Sequence, residues 1–322
     1  MADQNLEKEV PSIQPEISVV VSVYNEEDNI LPLTEKIDEA LSEYNYEIIY
    51  ADDGSSDQTI PRIKEMQHSK IVLVELQRNY GQSYALAAGI DQASGEYIVT
   101  MDGDLQNDPV DIPHMLELAK EKDLDMVAGI RKNRQDNFVR TIPSKIANAI
   151  IKRSTGVYII DNGCALKVFK SNIAKDIGLY GEMHRFIGIL AVMDGARIEQ
   201  VPVNHHPRIH GKSKYGLQRT FKVISDLMLM MFFKKYQQKP MHLFGTLGFF
   251  ATILGILINI YLLILKILGQ DIWGKPLLIL GVILLLGGIQ FVTIGIILEF
   301  LMRTYYESQQ KKPYKVRSVH QF

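Results

Sequence analysis

Between residues 17 and 101 the chain alternates short apolar runs with longer stretches whose apolar positions recur at helical spacing. The run ISVVVSV at 17–23 is continuously apolar and β-branched, the pattern of a parallel strand covered on both faces. Helices are expected over 26–44, 59–66 and 83–93, and further strands over 47–51, 71–76 and 97–101. This order predicts an α/β fold with a doubly wound, mostly parallel sheet, in which ligands bind beyond the carboxyl ends of the strands. Farther along, 138–155 reads as a helix whose start Pro143 delays. Residues 161–169 read as a turn entering a strand, and 198–203 as another strand. The stretch 220–233 mixes apolar residues with Lys222, Ser225 and Asp226, as an amphipathic helix at a membrane surface would.

After residue 240 the pattern changes. Two mostly apolar runs, HLFGTLGFFATILGILINIYLLILKIL and PLLILGVILLLGGIQFVTIGIILEFLM, lack the polar face of a soluble helix. Each exceeds the roughly 20 residues needed to cross a ~30 Å hydrocarbon core. Gly245, Gly248, Gly281, Gly287 and Gly288 would let the two helices approach closely. Lys234, Lys235 and Lys239 precede the first run, and Arg303, Lys311, Lys312, Lys315 and Arg317 follow the second. The short link between them is poor in basic residues, so the positive-inside rule puts both termini in the cytoplasm. The expected organisation is a polar tail over 1–16, a catalytic domain over 17–219 and an amphipathic juxtamembrane segment over 220–240. A membrane hairpin over 241–303 and a basic cytoplasmic tail over 304–322 complete it.

Composition narrows the function. Thirty-five basic against 37 acidic side chains give a net charge of −2, which argues against a nucleic-acid partner. A single cysteine, Cys164, excludes an internal disulfide and suits a reducing compartment. Residues 1–16 contain no apolar core of a secretory signal.

The chemistry gathers at the strand ends. Tyr24, Asn25 and Glu26 follow the first strand, and Asp52 and Asp53 the second. Arg78 and Asn79 follow the third, and Asp102, Gly103 and Asp104 the fourth. Acids crowded at the end of a buried strand repel one another unless a cation or ligand resolves the charge. The oxygen-rich DGDLQ fits Mg²⁺ or Mn²⁺ better than zinc, since no Cys/His ligand set stands beside it. The histidine-rich turn at His205, His206 and His210 reads as solvated rather than as a zinc site. No GxGxxG follows the first strand and no GxxxxGK[ST] occurs, so the common dinucleotide and P-loop readings lose support.

The ordered set VSVYNEEDN, ADDGSSDQT, RNYGQSYALAAGI, MDGDLQNDP, RKNRQD, DNGCALKVF and RIHGKSKY resembles family-2 glycosyltransferases of GT-A fold. More narrowly, it is similar to the polyprenyl-phosphate glycosyltransferases, among them dolichyl-phosphate mannose synthases and undecaprenyl-phosphate glucosyl and aminoarabinosyl transferases. The likeness runs from residue 17 to 319. It implies inverting transfer of one sugar from a nucleotide-diphosphate donor, UDP-linked in the leading reading, to undecaprenyl phosphate at the cytoplasmic face of the inner membrane. By this resemblance Ser22, Tyr24 and Glu26 belong to the first nucleotide-binding loop, and Asp53 is the carboxylate that binds the base. Arg78, Gln82 and Arg131 serve the donor, while Asp102, Asp104 and Gln106 form the metal and diphosphate motif. Arg140, Arg208 and Lys214 meet the phosphates of donor and acceptor. Ser22 stands where many relatives carry proline, and Gln82 where many carry lysine. Asp104 and Asp161 are the catalytic candidates. Asp161 either orients the acceptor or acts as a base, and the plainer reading is that it caps the D-N-G turn. The resemblance also implies a homo-oligomer, a tetramer in relatives.

Three alternatives are separable. A polyprenyl-phosphate mannose synthase would use GDP-mannose. A processive polysaccharide synthase is disfavoured by two spans and by the missing Q-x-x-R-W motif. A non-catalytic nucleotide-sugar-binding module conflicts with an intact DGDLQ and the basic acceptor segment.

Overall fold

The computed structural model describes residues 14–132, 159–177, 179, 183–207, 240–307 and 314–322. The chain divides into two compact units, one formed by residues up to 226 together with 313–322, the other by 227–312.

The first unit holds an eight-stranded sheet. Its strands are β1 (Ile17–Val23), β2 (Tyr46–Asp52), β3 (Ile71–Leu76), β4 (Tyr97–Asp102), β5 (Met126–Arg131), β6 (Lys167–Lys170), β7 (Ile198–Val203) and β8 (Val316–Gln321). They are ordered β7-β5-β6-β4-β1-β2-β3-β8. The contacts β4–β1, β1–β2, β2–β3 and β5–β7 are parallel, while β6 and β8 run antiparallel to their neighbours. Helices α1 (Ile30–Ala40), α2 (Thr59–Glu65), α3 (Gln82–Gln92), α4 (Ile112–Glu121), α5 (Ser171–Asp176) and α6 (Ile187–Met193) alternate with the strands.

Alternation along β1 explains the core. Ile17, Val19, Val21 and Val23 join Ile30, Leu33 and Ile37 of α1 and Met115 and Leu116 of α4 on one face. On the other face Val20 packs with Ala85, Ala88 and Ile90 of α3 and with Ile187 of α6. Both faces of β1 are therefore covered, as its unbroken apolar run requires.

Two expectations are corrected. The helix expected over 26–44 spans only 30–40, because the preceding residues spend their main-chain N–H groups on another loop. Asn25 has φ 53° and donates to Ser55 Oγ at 2.9 Å, and Glu26 donates to Thr59 Oγ1 at 2.9 Å. The basic tail expected over 304–322 is also not simply a tail. Residues 316–321 form β8, which pairs with β3 from Val72↔Gln321 to Leu76↔Val316. All six residues of β3 are buried, and without β8 this edge would present a row of unpaired backbone groups.

In the second unit, α7 (Pro240–Ile267) and α8 (Pro276–Glu307) form an antiparallel pair. Segments Leu243–Ile267 and Pro276–Leu298 are long and apolar enough to span a membrane. A Cβ on Gly248 would lie 2.6 Å from the Gly288 carbonyl oxygen, and one on Gly255 2.9 Å from that of Gly281, so these glycines set the close helix contact. Gly287 instead faces open space. Large side chains such as Phe250, Leu257, Ile279 and Phe300 point outward, the arrangement lipid would satisfy.

Candidate active site

The carboxyl ends of β1, β2 and β3 are locked together by main-chain geometry. Gly54, at φ 75°, has room for no side chain, since a Cβ there would lie 2.6 Å from the main chain of Arg78. The loop after β2 thus lies against the loop after β3. Asp53, buried between them, accepts from the N–H of Tyr80 at 2.7 Å and of Gly81 at 3.0 Å. Burial lifts the Asp53 carboxyl to about 6, against those two hydrogen bonds, which lower it. Asp52 is fully buried, and its Oδ2 accepts from the N–H of Gly54 and Ser55 at 3.0 and 2.9 Å, so it shapes the turn. Arg78 is exposed and stacks its guanidinium on Tyr80, 4.8 Å from the ring centre. The Glu26 carboxylate accepts from Asn29 Nδ2 at 2.6 Å, while Tyr24 is half-buried at the same rim.

Three of the expected donor residues converge between β1 and β4. Ser22 lies opposite Asp102 in the sheet register. Gln82 Nε2, from the first turn of α3, donates to Asp102 Oδ1 at 2.6 Å and to Ser22 Oγ at 3.4 Å. A neutral amide therefore orients Asp102 without neutralising it. Beyond Asp102 the chain turns sharply at Leu105, which is buried with φ 59°. A bulky residue in this left-handed region costs on the order of 1 kcal/mol, and such outliers cluster at functional sites. The turn keeps Asp104 buried, its Oδ1 accepting from the Gln106 N–H at 3.2 Å.

His205 and His206 differ from the solvated state expected of them, and His210 lies outside the described residues. The chain after β7 pairs with the chain after β4 through an Asn107↔His205 bridge and a His206 N–H to Gln106 carbonyl bond of 2.8 Å. The His205 side chain is half-buried, and its Nδ1 has no hydrogen-bond partner among the described residues. Burial and Arg131 push its pKa down, while Asp104, Asp161 and a main-chain hydrogen bond with Gln106 push it up. Nothing local in the sequence marks His205; only the pairing of two distant segments brings it here.

Arg131, at the end of β5, and Asp161 form a buried two-point ion pair. Arg131 Nε donates to Asp161 Oδ2 at 2.7 Å and Nη2 to Oδ1 at 2.8 Å. Asp161 also accepts from the Arg131 and Gly163 N–H groups, each at 3.2 Å. The last contact is the turn cap of the plainer reading, and the arginine pair is added to it. Arg140, Arg208, Lys214, the expected helix at 138–155 and the segment at 220–233 lie outside the described residues.

Among the described residues no three His, Cys, Asp or Glu side chains converge as a ready-made metal shell. A Mg²⁺ or Mn²⁺ that keeps waters and substrate phosphates needs only one or two carboxylates. Asp102 and Asp104, with Gln106 two residues on, fit that demand.

Residues 18–178 match glycosyl transferase family 2. The chain belongs to that family. It is 46% identical over 313 residues to the dodecaprenyl-phosphate galacturonate synthase of Rhizobium johnstonii, covering 94% of this chain and 93% of that one. It is 33% identical over 310 residues, 94% of each chain, to the undecaprenyl-phosphate 4-deoxy-4-formamido-L-arabinose transferase of Edwardsiella ictaluri. Among solved structures it resembles glucosyl-3-phosphoglycerate synthase from Mycobacterium tuberculosis in complex with Mn²⁺ and uridine-diphosphate-glucose. The TM-score is 0.52 at 18% identity, covering 67% of this chain and 79% of the other. That likeness is one of fold, and the fold is GT-A. This family-2 member is therefore a glycosyltransferase with a GT-A catalytic unit and two helices long enough to span a membrane.

Proposed function

We propose that this glycosyltransferase moves one sugar, with inversion, from a UDP-linked donor to the phosphate of a membrane polyprenol at the cytoplasmic face. The observation that carries this reading is likeness along the whole chain, not the catalytic unit alone, to enzymes named for dodecaprenyl- and undecaprenyl-phosphate products. The 46% identity makes an acidic hexose such as galacturonate the first donor sugar to test. The pairing of β8 with β3 supports a hairpin whose two ends share one side of the membrane. Excess basic residues at those ends support the cytoplasmic side.

In this reaction a phosphate oxygen of the polyprenyl phosphate attacks the anomeric carbon. The bond from that carbon to the donor diphosphate breaks, and UDP leaves with the electron pair. The attacking oxygen is already ionised, so the barrier lies in bringing two anions together and stabilising the leaving group. A bound divalent cation supplies that charge, and Asp102, Asp104 and Gln106 are the residues to hold it. Gln82 and Ser22 keep Asp102 aimed, and Asp53 meets the base. Asp161 serves by holding Arg131 toward the phosphates, since its oxygens already accept from Arg131 and Gly163. By resemblance, Arg140, Arg208 and Lys214 are the further basic residues assigned to the phosphates. The purified chain, given polyprenyl phosphate and a panel of UDP- and GDP-sugars, should form a lipid-linked monosaccharide from a UDP-sugar. A polymer, exclusive use of a GDP-sugar, or release of nucleotide without a lipid product would each overturn the reading.

A further inference from the structure

Lys167, the first residue of β6, has no part in the reaction described above. It is 3% exposed, and lysine is almost never this buried unless it is paired. In the sheet it lies opposite Thr100 on β4 and Ala128 on β5. That is two residues before Asp102 on one side and three before Arg131 on the other. Among the described residues, Nζ hydrogen-bonds the main-chain carbonyl of Cys164, one acceptor for a group with three donors. Cys164 in turn belongs to the turn that carries Asp161, its N–H donating to the Asp161 carbonyl at 3.4 Å. Thr100 Oγ1 holds the same segment through the Ala165 carbonyl at 2.8 Å. Burial pushes the Lys167 ammonium's pKa down, and Asp102 and Asp161 are among the groups pushing it back up. A packing role alone would suit methionine at least as well, because an under-paired buried ammonium costs several kcal/mol.

We propose that Lys167 is a positioning residue that places a positive charge inside the sheet. It anchors the Asp161 turn and offsets the Asp102 carboxylate at the end of β4, so that the site is balanced for a cation-bound diphosphate rather than for a bare cation. This rests on the function proposed above.

The two roles separate experimentally. Lys167→Gln keeps a donor toward the Cys164 carbonyl and removes the charge, Lys167→Met removes both, and Lys167→Arg keeps the charge. The probe is Mn²⁺ alone, titrated into the purified full chain and followed by electron paramagnetic resonance of the free ion. Removing a nearby positive charge should tighten Mn²⁺ binding of Lys167→Gln about three- to tenfold, while sugar transfer falls at least about tenfold. Lys167→Arg should keep the parental Mn²⁺ affinity. A residue that merely supports the fold could not produce tighter metal binding with slower transfer. Unchanged or weaker Mn²⁺ binding in folded Lys167→Gln would overturn the proposal. If Lys167→Gln does not fold, Lys167→Met is read by the same criterion. Failure of all three variants to fold would also overturn it, leaving Lys167 purely architectural. If the Mn²⁺ affinities follow the expected order but the parent transfers no sugar, the proposed function fails and the role of Lys167 stands.

Discussion

At the end of β2, Asp52 and Asp53 are held by main-chain N–H groups of Gly54, Ser55, Tyr80 and Gly81. Across the sheet, Asp161 is gripped by the Arg131 guanidinium and Asp108 by His206, at 2.8 Å. A main-chain grip is set by the path of the backbone and survives most side-chain changes. A side-chain grip can be released by one substitution, and a bound phosphate can compete for it. The acids after β2 are thus held by main-chain bonds alone among these contacts, whereas Asp161 and Asp108 add side-chain partners to the main-chain N–H groups they also accept from.

The largest test falls between these two regions. Asp104→Asn removes a metal-motif charge and should lower sugar transfer about 10³-fold with little loss of fold. Near-parental turnover would show that the acids after β4 do not serve the reaction. Next, Arg131→Ala removes the two-point guanidinium partner of a buried carboxylate and should destabilise the catalytic unit by about 3 kcal/mol in denaturant unfolding. Pairing it with Asp161→Asn should restore most of that stability but not the transfer rate, a coupling that two independent residues would not show.

Asp53 tests the main-chain grip. Its folded pKa of about 6 lies above its ordinary value of 3.8. The stability linked to this group is therefore fully present below pH 3.8 and is lost as pH rises through 6. Nucleotide binding that uses the ionised carboxylate runs the opposite way. UDP affinity, measured by calorimetry, should weaken about tenfold from pH 7 to pH 5, and Asp53→Asn should flatten that dependence.

Truncation after Lys315 removes β8, its bonds to β3 and the approach of His320 Nε2 to Glu75 Oε1 at 2.8 Å. Lys64 Nζ lies 2.6 Å from the same carboxylate oxygen, which accepts no well-aimed hydrogen bond, so Glu75 keeps one ionic partner when β8 is gone. The loss should be about 1–3 kcal/mol, with more self-association through the bared edge of β3. At the rim, Lys122→Ala breaks only the exposed pair with Glu199 and should change stability by less than about 0.5 kcal/mol.

The β1–β3 half is legible in the sequence because its signals are local. Each strand is one apolar run, and its chemistry follows within a few residues, so spacing and resemblance together single out Asp53, Asp102 and Asp104. The β5–β7 half is not legible in that way. No local pattern ties Arg131 to Asp161 across 30 residues, or His205 to Asn107 across nearly a hundred.

The amino-acid sequence by itself determined the alternating α/β order, the apolar hairpin and the family, because hydrophobic period and motif order are written in neighbouring residues. Only the tertiary structure decided that β8 closes the sheet edge, that Arg131 grips Asp161, and that Lys167 lies buried between strands. Those facts depend on which distant segments share a sheet edge, and the free energy of such pairing belongs to the assembled packing rather than to any one stretch of chain.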